Sequence, residues 1–144
     1  MYKNKYLKII TYLAVFAILV STYLTYLHYT PTESSFCNYS ETINCDIVNK
    51  SIYSEIFNIP IAALGIITFL IIILLSESIQ KDKTLNIIKK IKPRYQYILL
   101  ILLLTWSILF ALYLIYIEFF VLYAICLFCV ILDFLILEMF ILSI

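Results

Sequence analysis

Charge is what this chain has least of. Ten basic and nine acidic side chains are spread over 144 residues, 13% of the total, where soluble domains average about 25%. So thin a supply of polar surface excludes a soluble globular domain of this length. The net charge of +1 excludes a general attraction to nucleic acid. Glycine and histidine each occur once. A lone glycine, Gly65, rules out a glycine-rich phosphate-binding loop. A lone histidine, His28, cannot assemble a histidine metal centre, and interfacial hydrogen bonding is the expected use.

Apolar residues make up 65% of the chain. They gather in four runs, at about 7–29, 59–75, 97–117 and 119–144. Each reaches or approaches the roughly 20 residues that a helix needs to cross a bilayer core. In lipid every backbone N–H and C=O must be paired within its own segment, so each run predicts a helix. The expectation is an all-α integral membrane protein: one membrane domain over residues 1–144, built as a four-transmembrane-helix bundle. An outer loop, 30–56, joins the first two helices, and a cytoplasmic loop, 76–96, joins the second and third. The first run exceeds the h-region of a signal peptide. The Thr30-Pro31-Thr32-Glu33 that follows offers no small-residue cleavage site, so it reads as a retained anchor.

The basic residues orient the bundle. Lys3, Lys5 and Lys8 precede the first run, and Lys81, Lys83, Lys89, Lys90, Lys92 and Arg94 lie between the second and third. Lys50 alone falls on the other side. The positive-inside rule then places both termini and the 76–96 loop in the cytoplasm. Tyrosines at the borders agree, with Tyr2, Tyr6, Tyr95 and Tyr97 inside and Tyr26, Tyr29, Tyr113 and Tyr116 outside. Glu118 falls at the short outer turn, where a solvated side chain is expected. Trp106, in mid-helix, is expected to pack.

All four cysteines come out on or near the external side, where thiols form disulfides in cells that make them. Cys37 and Cys45 lie in the outer loop. Cys126 and Cys129 form a Cys-x-x-Cys motif, expected about two turns into the fourth helix on a single face. A bridge across one helical turn braces little of a fold and suits exchange better. Two small apolar residues packed in a bundle are the bland alternative. A zinc site fits poorly, because Cys-x7-Cys is not a zinc-knuckle spacing. Exchange runs by thiolate attack through a mixed disulfide. A loop pair in water can meet a soluble protein. A pair at membrane depth can meet a lipid-soluble two-electron acceptor, for which a quinone is the natural choice. Asp133 falls at i+4 from Cys129 on the same face. An acid at membrane depth is costly and often functional; the expected uses are a proton relay to a reduced quinone or a carboxyl held neutral, with a polar packing contact as the bland alternative.

The segment Phe120-Val121-Leu122-Tyr123-Ala124-Ile125-Cys126-Leu127-Phe128-Cys129 closely resembles the active-site stretch of the vitamin K epoxide reductase family. Cys45-Asp46-Ile47-Val48-Asn49-Lys50-Ser51 resembles a second motif, in which a cysteine precedes a functional serine by six residues. Asn58-Ile59-Pro60-Ile61-Ala62-Ala63-Leu64-Gly65 resembles the start of the second helix in prokaryotic members. Together they span nearly the whole chain, and their order is specific. In the unrelated disulfide bond formation protein B family, the Cys-x-x-Cys comes in the earlier loop, the reverse of the order here.

The resemblance implies a quinone-dependent thiol–disulfide oxidoreductase with a redox-active centre. Cys126 and Cys129 would be the active pair, with Cys129 facing the quinone. Cys37 and Cys45 would be the shuttle pair, with Cys45 passing electrons to Cys126. Ser51 would line the quinone pocket from a short loop helix over 52–57. Tyr123 and Asp133 are the further candidates for quinone contact. The quinone could be menaquinone, ubiquinone or vitamin K. The partners would be membrane lipid and a separate thioredoxin-like protein, because no fused thioredoxin-like domain is present. Animal members carry Thr-Tyr where this chain has Leu132 and Asp133, and a quinone-contacting Asn where it has Ile61. Two alternatives stand beside this reading: a vitamin K epoxide reductase of the eukaryotic type, and a membrane scaffold with static disulfides.

Overall fold

The computed structural model describes residues 2–33, 36–81 and 91–144, without the side chains of Tyr2, Lys3 and Lys81. Lys83, Lys89 and Lys90 of the expected cytoplasmic loop lie outside the described residues. Helix α1 spans Tyr2–Tyr29, and a short helix α2 spans Cys45–Asn49. A 3-10 turn at Ile52–Ser54 leads into a two-stranded hairpin, β1 (Glu55–Ile56) and β2 (Ile59–Pro60). Helix α3 follows at Ile61–Lys81, α4 at Pro93–Ile117 and α5 at Leu127–Ser143.

Among the described residues, three helical stretches are long and apolar enough to cross a membrane: Asn4–Tyr29, Ile61–Gln80 and Pro93–Leu122. The second outruns the expected 59–75 because Ser76 to Gln80 contain no glycine or proline to stop a helix. Pro93 opens α4, a position where its missing N–H leaves nothing unpaired.

The fourth run departs from expectation. Glu118–Leu122 continues α4 as a π-helical turn. Tyr123 then adopts a left-handed backbone (φ 51°, ψ 29°), which ends a right-handed helix. Residues 124–126 are extended, and α5 has 17 residues starting at Leu127. Cys126 is therefore the N-cap of α5, not a residue two turns inside a helix. These residues are as apolar as those around them, so hydropathy carries no sign of the break.

Residues 52–57 also depart from a single loop helix. Only Ile52–Ser54 is helical. Phe57 and Asn58 both have positive φ (53° and 62°), forming the two-residue turn between Ile56 and its partner Ile59. Asn58 tolerates that backbone better than most residues. Pro60 holds the residue before it extended.

Helix α1 packs against α3 and α5, and α4 packs against both α3 and α5. Ala14, Ala17 and Ser21, all fully buried, recur along one face of α1. Small side chains let membrane helices approach closely. Opposite them, a Cβ added to Gly65 would lie 3.4 Å from Ser21 Oγ. One apolar cluster joins Leu7, Ile10, Phe69, Ile72, Leu100, Leu104, Leu135 and Met139. Polar groups stitch the same region. Ser76 Oγ donates to the Leu7 carbonyl at 2.8 Å and accepts from Thr11 Oγ1 at 3.1 Å. Tyr97 donates to the Ser143 carbonyl, tying the start of α4 to the end of α5. Trp106, expected to pack, is 71% exposed. In lipid, apolar surface gains nothing from burial against a neighbour.

Ser76→Ala is expected to lower stability in detergent by about 1 kcal/mol, the scale of an interhelical hydrogen bond in a membrane bundle. Thr22→Ala, on an exposed face, is expected to leave it unchanged. Thermal unfolding of both variants checks this.

Candidate active site

The loop between α1 and α3 folds around one disulfide. Cys37 and Cys45 are bonded, with their Cα atoms 5.6 Å apart, and both are fully buried. Asn44 caps α2: its Oδ1 accepts the N–H groups of Asp46 (3.0 Å) and Ile47 (3.1 Å). Such a cap satisfies donors that a short helix would otherwise leave unpaired. Asp46 lies in the first turn, where a negative charge is favoured. It accepts from Asn38 Nδ2 at 2.7 Å and pairs with Lys50 at 3.6 Å.

The far end of α2 is clamped to α1. Asn49 Nδ2 donates to the Leu24 carbonyl at 2.6 Å. His28 Nδ1 donates to the Asn49 carbonyl at 2.6 Å, and its Nε2 lies 3.3 Å from a Glu55 carboxylate oxygen. The lone histidine thus joins α1, α2 and the hairpin.

The second pair is placed by its own backbone. The Ile125 N–H donates to the Thr42 carbonyl (2.7 Å), and the Asn44 N–H donates to the Ile125 carbonyl (3.1 Å). This parallel bridge between Ile43 and Ile125 sets Cys45 two residues beyond one bridged position and Cys126 one residue beyond the other. Cys37, Cys45 and Cys126 then share one buried cluster with Leu24, Leu27, Val48 and Ala124. Cys126 Sγ accepts the Cys129 N–H at 3.3 Å. Phe128, inside the motif, packs edge to face on Tyr23 of α1, with ring centroids 5.2 Å apart. Cys126 and Cys129 are not bonded to each other.

A cavity of about 370 Å³ opens beneath α2, between the helices. Its volume falls in the range of small-molecule sites. Cys129, Asp133 and Leu132 line it from α5, Ser51 and Tyr53 from the loop, and Ile61 and Gly65 from α3. Cys129 therefore meets the cavity, while Cys126 is buried in the same cluster as the loop disulfide and is not among the lining residues. A model of the vitamin K epoxide reductase family matches residues 8–144. The chain belongs to that family. The comparison with curated proteins finds no match. Membership in the vitamin K epoxide reductase family makes this a membrane oxidoreductase of a group that works with thiols and generally uses quinones.

Against that background, most residues singled out from the sequence converge. The four cysteines, Ser51 and Asp133 meet at the cavity or directly above it. Ser51 makes no side-chain cap bond. Its hydroxyl donates to the Val48 carbonyl at 2.8 Å. Tyr123 does not join them. It is absent from the cavity wall and 74% exposed, because its left-handed backbone forms the bend that precedes the bridge.

Three residues of the site escaped sequence reasoning. Glu118, expected in solvent, is 3% exposed and accepts the Cys126 N–H on Oε2 at 3.1 Å. Ser21 lines the cavity with a buried hydroxyl that makes no hydrogen bond to the protein. Asn49 lines it too while anchoring α2. Only Glu118 offered a signal, as an acid close before the Cys-x-x-Cys motif in an apolar run.

Asn49→Ala is expected to remove about 1 kcal/mol of local stability, the net value of one hydrogen bond. Limited proteolysis should then cut residues 45–56 faster in the variant than in the wild type, with the helices intact in both.

Proposed function

We propose that the chain is a thiol:quinone oxidoreductase that supports disulfide formation outside the cytoplasm. Electrons enter from a separate thioredoxin-like protein at Cys37 and Cys45, pass to Cys126 and Cys129, and leave to a quinone. The observation that carries this reading is the layered arrangement: a loop disulfide, then a buried cysteine in the same cluster, then a cysteine on the wall of an apolar cavity. Exchange needs the two pairs within bonding reach of each other, and the Ile43–Ile125 bridge supplies that proximity.

Each residue then has a task. Cys45 in its thiolate form attacks Cys126 and breaks the Cys126–Cys129 bond. Cys37 displaces Cys126 and restores the loop disulfide. Cys129 faces the quinone, which takes two electrons and two protons. Ser51 and Asp133 contact it, and Asp133 moves a proton. The unpaired Ser21 hydroxyl supplies a further donor. At Leu132, Asp133 and Ile61 the chain lacks the residues of animal members, and all three positions line the cavity. That supports quinone reduction over epoxide reduction.

In this reading α5 is the fourth membrane span, its 17 residues lying at the short end of the spanning range. The loop helix α2 and the cysteines face outward, and both termini face the cytoplasm.

The test is quinone reduction by the purified protein in detergent, supplied with a reduced thioredoxin-like partner. Wild type should turn over, and Cys129→Ala should fall to background. Equal inactivity of the two toward several quinones would instead favour a scaffold with static disulfides. Ser21→Ala is expected to raise the quinone KM about fivefold with kcat unchanged, the value of one hydrogen bond of about 1 kcal/mol.

A further inference from the structure

Helix α5 starts at Cys126, and two acidic groups meet at that start. The Cys126 sulfur accepts the Cys129 N–H at 3.3 Å. The Cys126 N–H is donated to Glu118 Oε2 at 3.1 Å. The Glu118 carbonyl accepts the Ala124 N–H at 3.2 Å, so one residue braces the connector with both its backbone and its side chain. A helix N-terminus carries about half a positive elementary charge. That favours one anion beside it and leaves a second uncompensated.

Among the described residues, the cavity wall offers no cation to offset a second charge. Glu118 borders the cavity, whose other ionisable groups are Cys129, Asp133 and Tyr53, with no lysine, arginine or histidine on the wall. Helix α2 also packs against the Glu118–Leu122 turn. Its one acid, Asp46, is engaged by Lys50 and Asn38. A proton leaving the Cys126 thiol therefore has a carboxylate already bonded to the same residue.

We propose that Glu118 is the proton-holding and positioning partner of Cys126. The two share one proton, and the helix start carries a single negative charge throughout the redox cycle. This rests on the thiol:quinone reading above. When the pair is oxidised, the Cys126 S–H bond breaks and its proton moves to Glu118. The sulfur's electron pair forms the bond to Cys129, and two electrons pass to the quinone. One proton from Glu118 and one from the Cys129 thiol complete the quinol, and Glu118 is a carboxylate again. When the loop pair reduces the bridge, Cys129 takes the proton released by Cys45, Glu118 takes the proton released by Cys37, and Cys126, leaving as a thiolate, takes that proton from Glu118.

Two measurements on the full chain test this. The first uses a Cys37→Ser, Cys45→Ser, Cys129→Ser background, in which Cys126 is the only thiol, and follows ultraviolet thiolate absorbance against pH. Glu118→Gln keeps an acceptor for the Cys126 N–H and removes the competing charge. Its thiolate should form about one pH unit or more below that of the Glu118 form, the usual effect of removing a nearby like charge. The second is quinone turnover with all cysteines present, where Glu118→Gln should be slower by about 100-fold, the scale of a lost proton-transfer group. Easier thiolate formation with slower turnover is a pairing that a purely structural brace does not produce. The proposal is overturned if Glu118→Gln matches wild type in both while Glu118→Ala alone is impaired. Should the Gln variant not fold, Glu118→Asp replaces it. Its charge sits farther from Cys126 and should also lower the thiolate pH, and an unchanged titration overturns the idea. A wild type inert to every quinone would defeat the thiol:quinone reading, and the thiolate titration would still decide the shared proton.

Discussion

Two backbone hydrogen bonds between residues 42–44 and 124–126 hold the chemistry of this protein together. They join the loop between α1 and α3 to the start of α5, two segments that are distant in the chain. Without them Cys45 and Cys126 have no reason to meet. The bridge has its own requirement: residues 124–126 must be extended. The π-helical turn and the left-handed Tyr123 give α4 an end and α5 a late beginning. The broken helix is thus a condition of the site. Non-helical backbone at such depth is tolerated where protein surrounds it and pairs its polar groups. Here the loop backbone and Glu118 do so.

The rest of the molecule supports that junction. The small face of α1 brings α3 close, and α1 also carries Leu24 and His28, which receive and clamp α2. Helix α2 is too short to hold itself, at five residues. It persists because Asn44 caps one end, Asn49 fastens the other, and the disulfide fixes its first residue. The roof over the cavity is consequently a set of polar and covalent ties on an apolar bundle. The cavity beneath is mostly apolar, with Ser51, Glu118, Cys129 and Asp133 among its polar groups.

That arrangement separates two environments. The loop pair is buried in an apolar cluster under the polar ties of α2, and Cys129 lines the cavity. In the proposed function electrons pass between them by exchange, and acidic side chains carry the protons. Asp133 and Glu118 stand on either side of Cys129 in the chain, one from α5 and one from the end of α4. Their burial would be expensive without use.

Much of this was legible in the residues alone. Four apolar runs in so uncharged a chain demand membrane helices, because lipid leaves the backbone no other partner. The spacing of the cysteines and the resemblance around them pointed to the exchange chemistry, and Asp133 was readable from its i+4 offset. Hydropathy could not show that the fourth run breaks at Tyr123, since the extended residues are as apolar as the helical ones. It could not show that Phe57 and Asn58 turn a hairpin, that Tyr123 faces out, or that Glu118 is buried against Cys126. Each of those depends on what lies opposite in space. Local composition decides whether a segment enters lipid and coils. Pairing between distant segments decides where a helix stops and which side chains meet, and that became visible only in the folded chain.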